Sequence, residues 1–394
     1  MTTLFSFHGT NGLDPEGPLV QGIDQNFYGT TRDTTAPVPY HQFRRFGDST
    51  IFKVTTNGML ATLYTFTGTN GFAAPRLILG NDGNFYGMTA FLYTNDTATI
   101  YRITTNGAFT TLILFTRPSG SVVGDITQGK EGAFYGTSAA GGLHKDGVFG
   151  SDWRSGLTDN GFVYKITTNE GFKVLALFNG TNGANPYTPL IQGKDGFLYG
   201  STECDGLADY ATNNPNGHGF GTIYKMSTNG ALDTLVIFNG TNGIETDALI
   251  EAKDGNLYGT TRYGGTTYSV TNDPYYGPLI VNGHGTIFRI SKNGKFSTLV
   301  SFNGTNGSEP GTIILGKDGN IYGFTAKGGA FNNGTFFELN QKGQMTTLHS
   351  FTGKNEDGKI GNLTLSTDGS FYGTSGDGGE FNMGRIFHLT VNPR

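Results

Sequence analysis

The chain has 394 residues, a net charge of −5 and only 14% charged residues, against about 25% in an average soluble protein. The negative balance argues against a nucleic-acid surface, and no apolar run approaches the ~18 residues of a membrane-spanning helix. A single cysteine, Cys204, rules out an intramolecular disulfide, while Thr, Asn and the 64 glycines supply a neutral polar exterior that suits an extracellular or cell-surface protein.

The chain opens directly on an apolar-alternating strand, residues 2–7, with no secretory signal ahead of it; so abrupt a start reads as trimmed. An aromatic or aliphatic residue followed by Tyr-Gly then recurs at Tyr28, Tyr86, Tyr135, Tyr199, Tyr258, Tyr322 and Tyr372. Around each copy lies one module, and the fifth is a good pattern. Residues 248–252 form an inner strand, Asp254-Gly255 a turn, residues 256–261 a second strand, 285–290 a third, Asn293-Gly294 a turn, and 296–302 a fourth. The equivalent acidic turns are Asp82-Gly83, Asp195-Gly196, Asp318-Gly319 and Asp368-Gly369, with Glu131-Gly132 and Asp24-Gln25 as variants. They read as type I′ hairpins rather than calcium ligands, since that turn needs positive φ at both central residues.

Four strands in each of seven repeats predict an all-β, seven-bladed β-propeller occupying residues 1–394 as a single domain. The last module stops after its third strand, so the N-terminal strand is expected to complete the last blade and remove an open edge. The repeated Tyr and Phe residues are expected to pack blade against blade. Three sequons, at Asn179, Asn239 and Asn303, fall on equivalent loop positions and are explained by repeat duplication.

Strand alternation sends the loop between second and third strands, and the loop between blades, to one face. That face takes the long insertions, residues 32–49, 139–160, 203–220 and 262–284. They hold His41, His144, His218 and His284, and His8 lies in an inter-blade loop. Where the second strand ends, the pattern has small residues (Ala139, Ala326, Gly376), but Arg32, Glu203 and Arg262 break it. Beside them stand Asp33, Cys204, Asp205, Tyr263, Lys327 and Asp377, while Arg76, Asp125, Tyr187 and Asp247 enter inner strands near the axis. Loops on a rigid scaffold are the usual seat of binding and catalysis.

Two chemistries follow, and the concentration of Arg, His and Tyr on this face makes the first the expected one. A polysaccharide lyase acting on a uronate needs cations for the carboxylate and an acid–base pair, here Arg32, Arg262 and Arg76 with His218, His284, His41 and Tyr263. A glycoside hydrolase needs paired carboxyls, drawn from Glu203, Asp205, Asp33, Asp247 and Asp377. Tyr40, Trp153, Tyr187, Tyr276 and Lys327 would help to bind a polysaccharide or oligosaccharide. No motif requires a cofactor; a metal would have to be assembled across blades from His41, His144, His218 or His284, because close ligand spacing is absent. Neither a Gly-x-Ser-x-Gly elbow nor a phosphate loop occurs, which lowers esterase and nucleotide readings. A third possibility is a non-catalytic glycan- or protein-binding disc. The unusual residues are unique to particular blades rather than repeated, which favours one main site, and hence an enzyme, in a monomer.

The modules, as in Asp254-Gly-Asn-Leu-Tyr-Gly-Thr-Thr261 through Gly285-Thr-Ile-Phe-Arg-Ile290, resemble the GloVer tandem repeat of secreted bacterial proteins. The resemblance runs over nearly the whole chain and implies a propeller in an extracellular or surface setting, with no catalytic residues to carry across. Seven-bladed polysaccharide lyases share the expected architecture, but fold does not set function.

Overall fold

A computed structural model describes residues 1–15, 17–31, 49–66, 72–90, 97–116, 125–139, 160–167, 171–204, 219–273, 277–281, 283–353 and 361–391. Among these residues the secondary structure is all β: seven four-stranded antiparallel sheets, the blades of a seven-bladed β-propeller, and one separate hairpin. The chain divides into two compact units, Met1–Arg117 with Phe351–Arg394, and Pro118–Ser350.

The first unit holds blades one, two and seven. Blade seven is built from Asn362–Leu365, Phe371–Ser375 and Arg385–Leu389, and its fourth strand is the chain's first, Thr2–Ser6, paired with Arg385–Leu389. The terminal strand does complete the last blade, as the missing strand predicts. The second unit holds blades three to six. Blade five comprises Ile244–Glu251, Leu257–Tyr263, Thr286–Ile290 and Phe296–Ser301. Its first strand starts four residues earlier than expected, and its long insertion contains a two-stranded hairpin, Ser269–Asp273 with Gly277–Val281, that no repeat comparison predicts.

The Tyr-Gly phrase has a packing cause. A Cβ on Gly259 would lie 2.3 Å from the ring of Phe288 on the neighbouring strand and 2.5 Å from the carbonyl of Ala248, so only glycine lets that ring lie flat on the sheet. The preceding Tyr points to the other face. Its hydroxyl donates to the turn acid four residues earlier: Tyr28 to Asp24 at 2.8 Å, Tyr199 to Asp195 at 2.7 Å, Tyr258 to Asp254 at 2.9 Å and Tyr322 to Asp318 at 2.7 Å. The turn acids are therefore structural, each holding a Tyr hydroxyl and, at Asp24, Asp254 and Asp318, an Asn side chain as well.

The turns themselves differ from expectation. Gly255 is left-handed at φ 79° while Asp254 is not, and Gly255 N–H donates to Ala252. This is a tight turn closed by one left-handed residue, not the type I′ geometry, because the acid needs an ordinary φ to bond the Asn256 N–H at 3.0 Å. The repeated aromatics pack between blades as expected. Tyr199, Ile223, Val236 and Phe238 of blade four meet Leu249, Leu257, Phe288 and Ile290 of blade five in one buried cluster. Each large apolar side chain so buried contributes about 1.5–3 kcal/mol.

Candidate functional site

The residues that make the site come from two columns of the repeat, both in the second unit. One column ends the second strand, with Glu203 in blade four and Arg262 in blade five, where blade six has Ala326 followed at once by Lys327. The other opens each blade two residues after an Asn-Gly turn, with Asn185, Glu245 and Glu309. These blade-opening residues are left-handed although none is glycine, at φ 55°, 55° and 54°. Strain of about 1–3 kcal/mol at such a position persists only where the surroundings hold it. Here each N–H is held by a carbonyl of the blade before: Asn185 by Asn160, Glu245 by Phe220, Glu309 by His284.

Interleaving the columns gives a row of charges. Glu309 bonds Lys327 at 2.7 Å and lies 3.7 Å from Arg262, so it serves two cations that are themselves largely exposed. Arg262 also stands 5.3 Å from the Tyr263 ring. Glu245 has a different setting, between Glu203 and Arg262. Burial pushes its carboxyl above the ordinary range, Glu203, Asp247 and Glu309 push it the same way, and only Arg262 opposes them. Asp247 is raised too, by burial first, against Arg262. Its side chain is also reached by solvent, which moderates that effect. Burial likewise raises Tyr263, so its hydroxyl stays protonated.

Next to this row is an open cleft of ≈ 450 Å³ lined by Tyr263, His284, Ser308, Glu309, Lys327 and Asn332 with three glycines. His284 Nδ1 lies 2.9 Å from Ser308 Oγ, and its backbone N–H donates to Thr267 Oγ1. Phe331, the chain neighbour of Asn332, is 58% exposed.

Of the residues expected from sequence, Glu203, Asp247, Arg262, Tyr263, His284 and Lys327 fall in or beside this cluster. Tyr187 is exposed in blade four but does not line the cleft, and Arg76 belongs to the other unit. Arg32, Asp33, Tyr40, His41, His144, Trp153, Asp205, His218 and Tyr276 lie outside the described residues. Cys204 is a half-buried thiol whose sulfur lies 3.8 Å from the Ala184 carbonyl. Among the described residues no group of three His, Cys, Asp or Glu could hold a metal ion, and His284 spends Nδ1 on a serine. Sequence reading passed over Glu245, Ser308, Glu309, Phe331 and Asn332. The column Asp14, Asn185, Glu245, Glu309 was the available signal, had the repeats been compared at that position.

Residues 1–152, 144–273 and 210–394 match the Gloeobacter/Verrucomicrobia repeat, and the chain belongs to that family. No curated protein matches it. Among solved structures it is similar to virginiamycin B lyase from Staphylococcus aureus, with a TM-score of 0.58 at 14% identity over 96% of this chain and 98% of that one. A gluconolactonase from Xanthomonas campestris aligns with a TM-score of 0.40 at 13% identity over 81% and 94% of the two chains. The first likeness is one of fold alone, and the second is too loose to carry an argument. Among the described residues no helix is long and apolar enough to cross a membrane.

Proposed function

We propose that this propeller is a carbohydrate-active enzyme that cleaves a polysaccharide or oligosaccharide at the blade-five cluster, by hydrolysis between carboxyl groups. The observation that carries the reading is the setting of Glu245. A glycoside hydrolase needs one carboxyl kept protonated to donate to the leaving oxygen and another kept ionised as base or nucleophile. Glu245, raised by burial and by neighbouring acids, suits the donor, with Asp247 raised beside it. Glu203, exposed just past the second strand of blade four, supplies the second carboxyl group. Phe331 offers a stacking face for a sugar ring, and the sparse charge of the chain suits an extracellular or surface setting.

Elimination from a uronate is the second reading. Arg262 and a protonated Tyr263 favour it, as carboxylate ligand and proton donor. Against it, Glu309 already occupies both Arg262 and Lys327, so an incoming uronate would have to displace it. Incubation with neutral and acidic polysaccharides, following reducing ends and the near-ultraviolet absorbance of an unsaturated uronate, separates the readings. Hydrolysis gives reducing ends without absorbance. New absorbance transfers the assignment to elimination, and silence across a broad panel leaves a glycan-binding disc.

A further inference from the structure

One backbone bond recurs at four blade junctions: the N–H of the blade-opening residue donates to the preceding blade, Asp14 to Met383, Asn185 to Asn160, Glu245 to Phe220 and Glu309 to His284. The register juxtaposes the carbonyl-bearing residue with the residue just before the donor. Those pairs are Met383 with Leu13, Asn160 with Ala184 and Phe220 with Ile244, each with at least one apolar member. Where blade five meets blade six the pair is His284 with Ser308, and both members have become chemically competent together. Ser308 is only 7% exposed, yet it lines the cleft, with its Oγ 2.9 Å from His284 Nδ1.

We propose that Ser308 and His284 are a nucleophile–base pair that hydrolyses short-chain carboxylic esters in this cleft, an activity separate from glycan cleavage. Such pairs are recognised by geometry rather than by chain order, which is why the absence of a serine elbow does not exclude one. With the other ring nitrogen protonated, Nδ1 accepts the hydroxyl proton as Oγ bonds to the ester carbonyl carbon. The carbonyl π electrons move onto oxygen, and the resulting oxyanion draws the ammonium of Lys327, the cross-strand partner of Ser308 on the same sheet face, away from Glu309, which holds it at 2.7 Å in the resting site. When the carbonyl re-forms, the C–O bond to the alcohol breaks, and His284 returns its proton to the departing alkoxide. Water then attacks the acyl-serine, giving one proton to His284, which passes it back to Oγ as the carboxylic acid leaves.

The test uses the whole protein with a fluorophosphonate, the adduct located by peptide mass spectrometry, and with p-nitrophenyl acetate as substrate. The expected result is one adduct on Ser308, and ester hydrolysis at least about 100-fold lower in Ser308→Ala. The double variant His284→Phe with Ser308→Ile rebuilds the Phe220 and Ile244 junction, so it should melt near the parent temperature while losing adduct and hydrolysis. His284→Asn alone should leave Ser308 unlabelled. No adduct on Ser308 in the folded parent, unchanged hydrolysis in Ser308→Ala, or full labelling in His284→Asn would each overturn the assignment.

Discussion

Blade five carries two sets of carboxyls with opposite fates. At one end of its first hairpin Asp254 is partly buried, which alone would raise its carboxyl, but bonds from Asn256 and Tyr258 outweigh burial and hold it below the ordinary range. At the other end Glu245 and Asp247 are also crowded, with no comparable donors to their carboxyls, and both are raised. Satisfied acids build the blade; acids left against one another are poised to exchange a proton. The signs for stability are opposite too. A lowered acid such as Asp24, held at about 2, stabilises the fold above the unfolded value of 3.8, and that stability is lost as pH falls towards 2. The raised pair behaves in reverse: its relative stabilisation is full in acid and disappears as pH rises through the folded values.

The sharpest way to break the contrast is Glu245→Gln. It should lower glycan turnover by roughly 10²–10⁴-fold while leaving the thermal midpoint nearly unchanged, measured by reducing-end assay and calorimetry. Tyr258→Phe should do the opposite, costing about 1–2 kcal/mol in denaturant melts because a partly buried carboxylate loses a donor, with turnover unaffected. Asp247→Asn removes a repelling neighbour of Glu245 without touching the second carboxylate, so the alkaline limb of the pH–rate profile should move to lower pH. Glu309→Gln should also cost little stability. Its partners Arg262 and Lys327 are half or more exposed, so the loss should stay within about 1 kcal/mol. The freed cations should instead strengthen binding of acidic oligosaccharides in a salt-dependent way, measurable by titration calorimetry.

Much of the fold was legible because its causes are local and repeated. The Tyr-Gly phrase, the Asp-Gly turns and the period-two alternation are each set by neighbours within a few residues or by the adjacent strand. The missing fourth strand at one end and the spare one at the other announced their pairing. The type I′ assignment failed at Asp254 because the side chain's own bond to Asn256 dictates its φ. The hairpin Ser269–Asp273 with Gly277–Val281 escaped because it lies in an insertion with no counterpart among the repeats.

The site was legible as a face and not as a constellation. Sequence by itself determined that Glu203 and Arg262 depart from a column of small residues, that Lys327 stands next to that column, and that His284 stands where a long insertion ends. Tertiary structure decided that Glu309 spans Arg262 and Lys327, that Glu203 bears on Glu245, and that His284 meets Ser308. Apart from Glu309 with Lys327, which lies within blade six, each of those contacts crosses from one blade to the next. Coulombic coupling and hydrogen bonding change over single ångströms, whereas a repeat pattern records position within a blade and is silent on which side chains of adjoining blades meet.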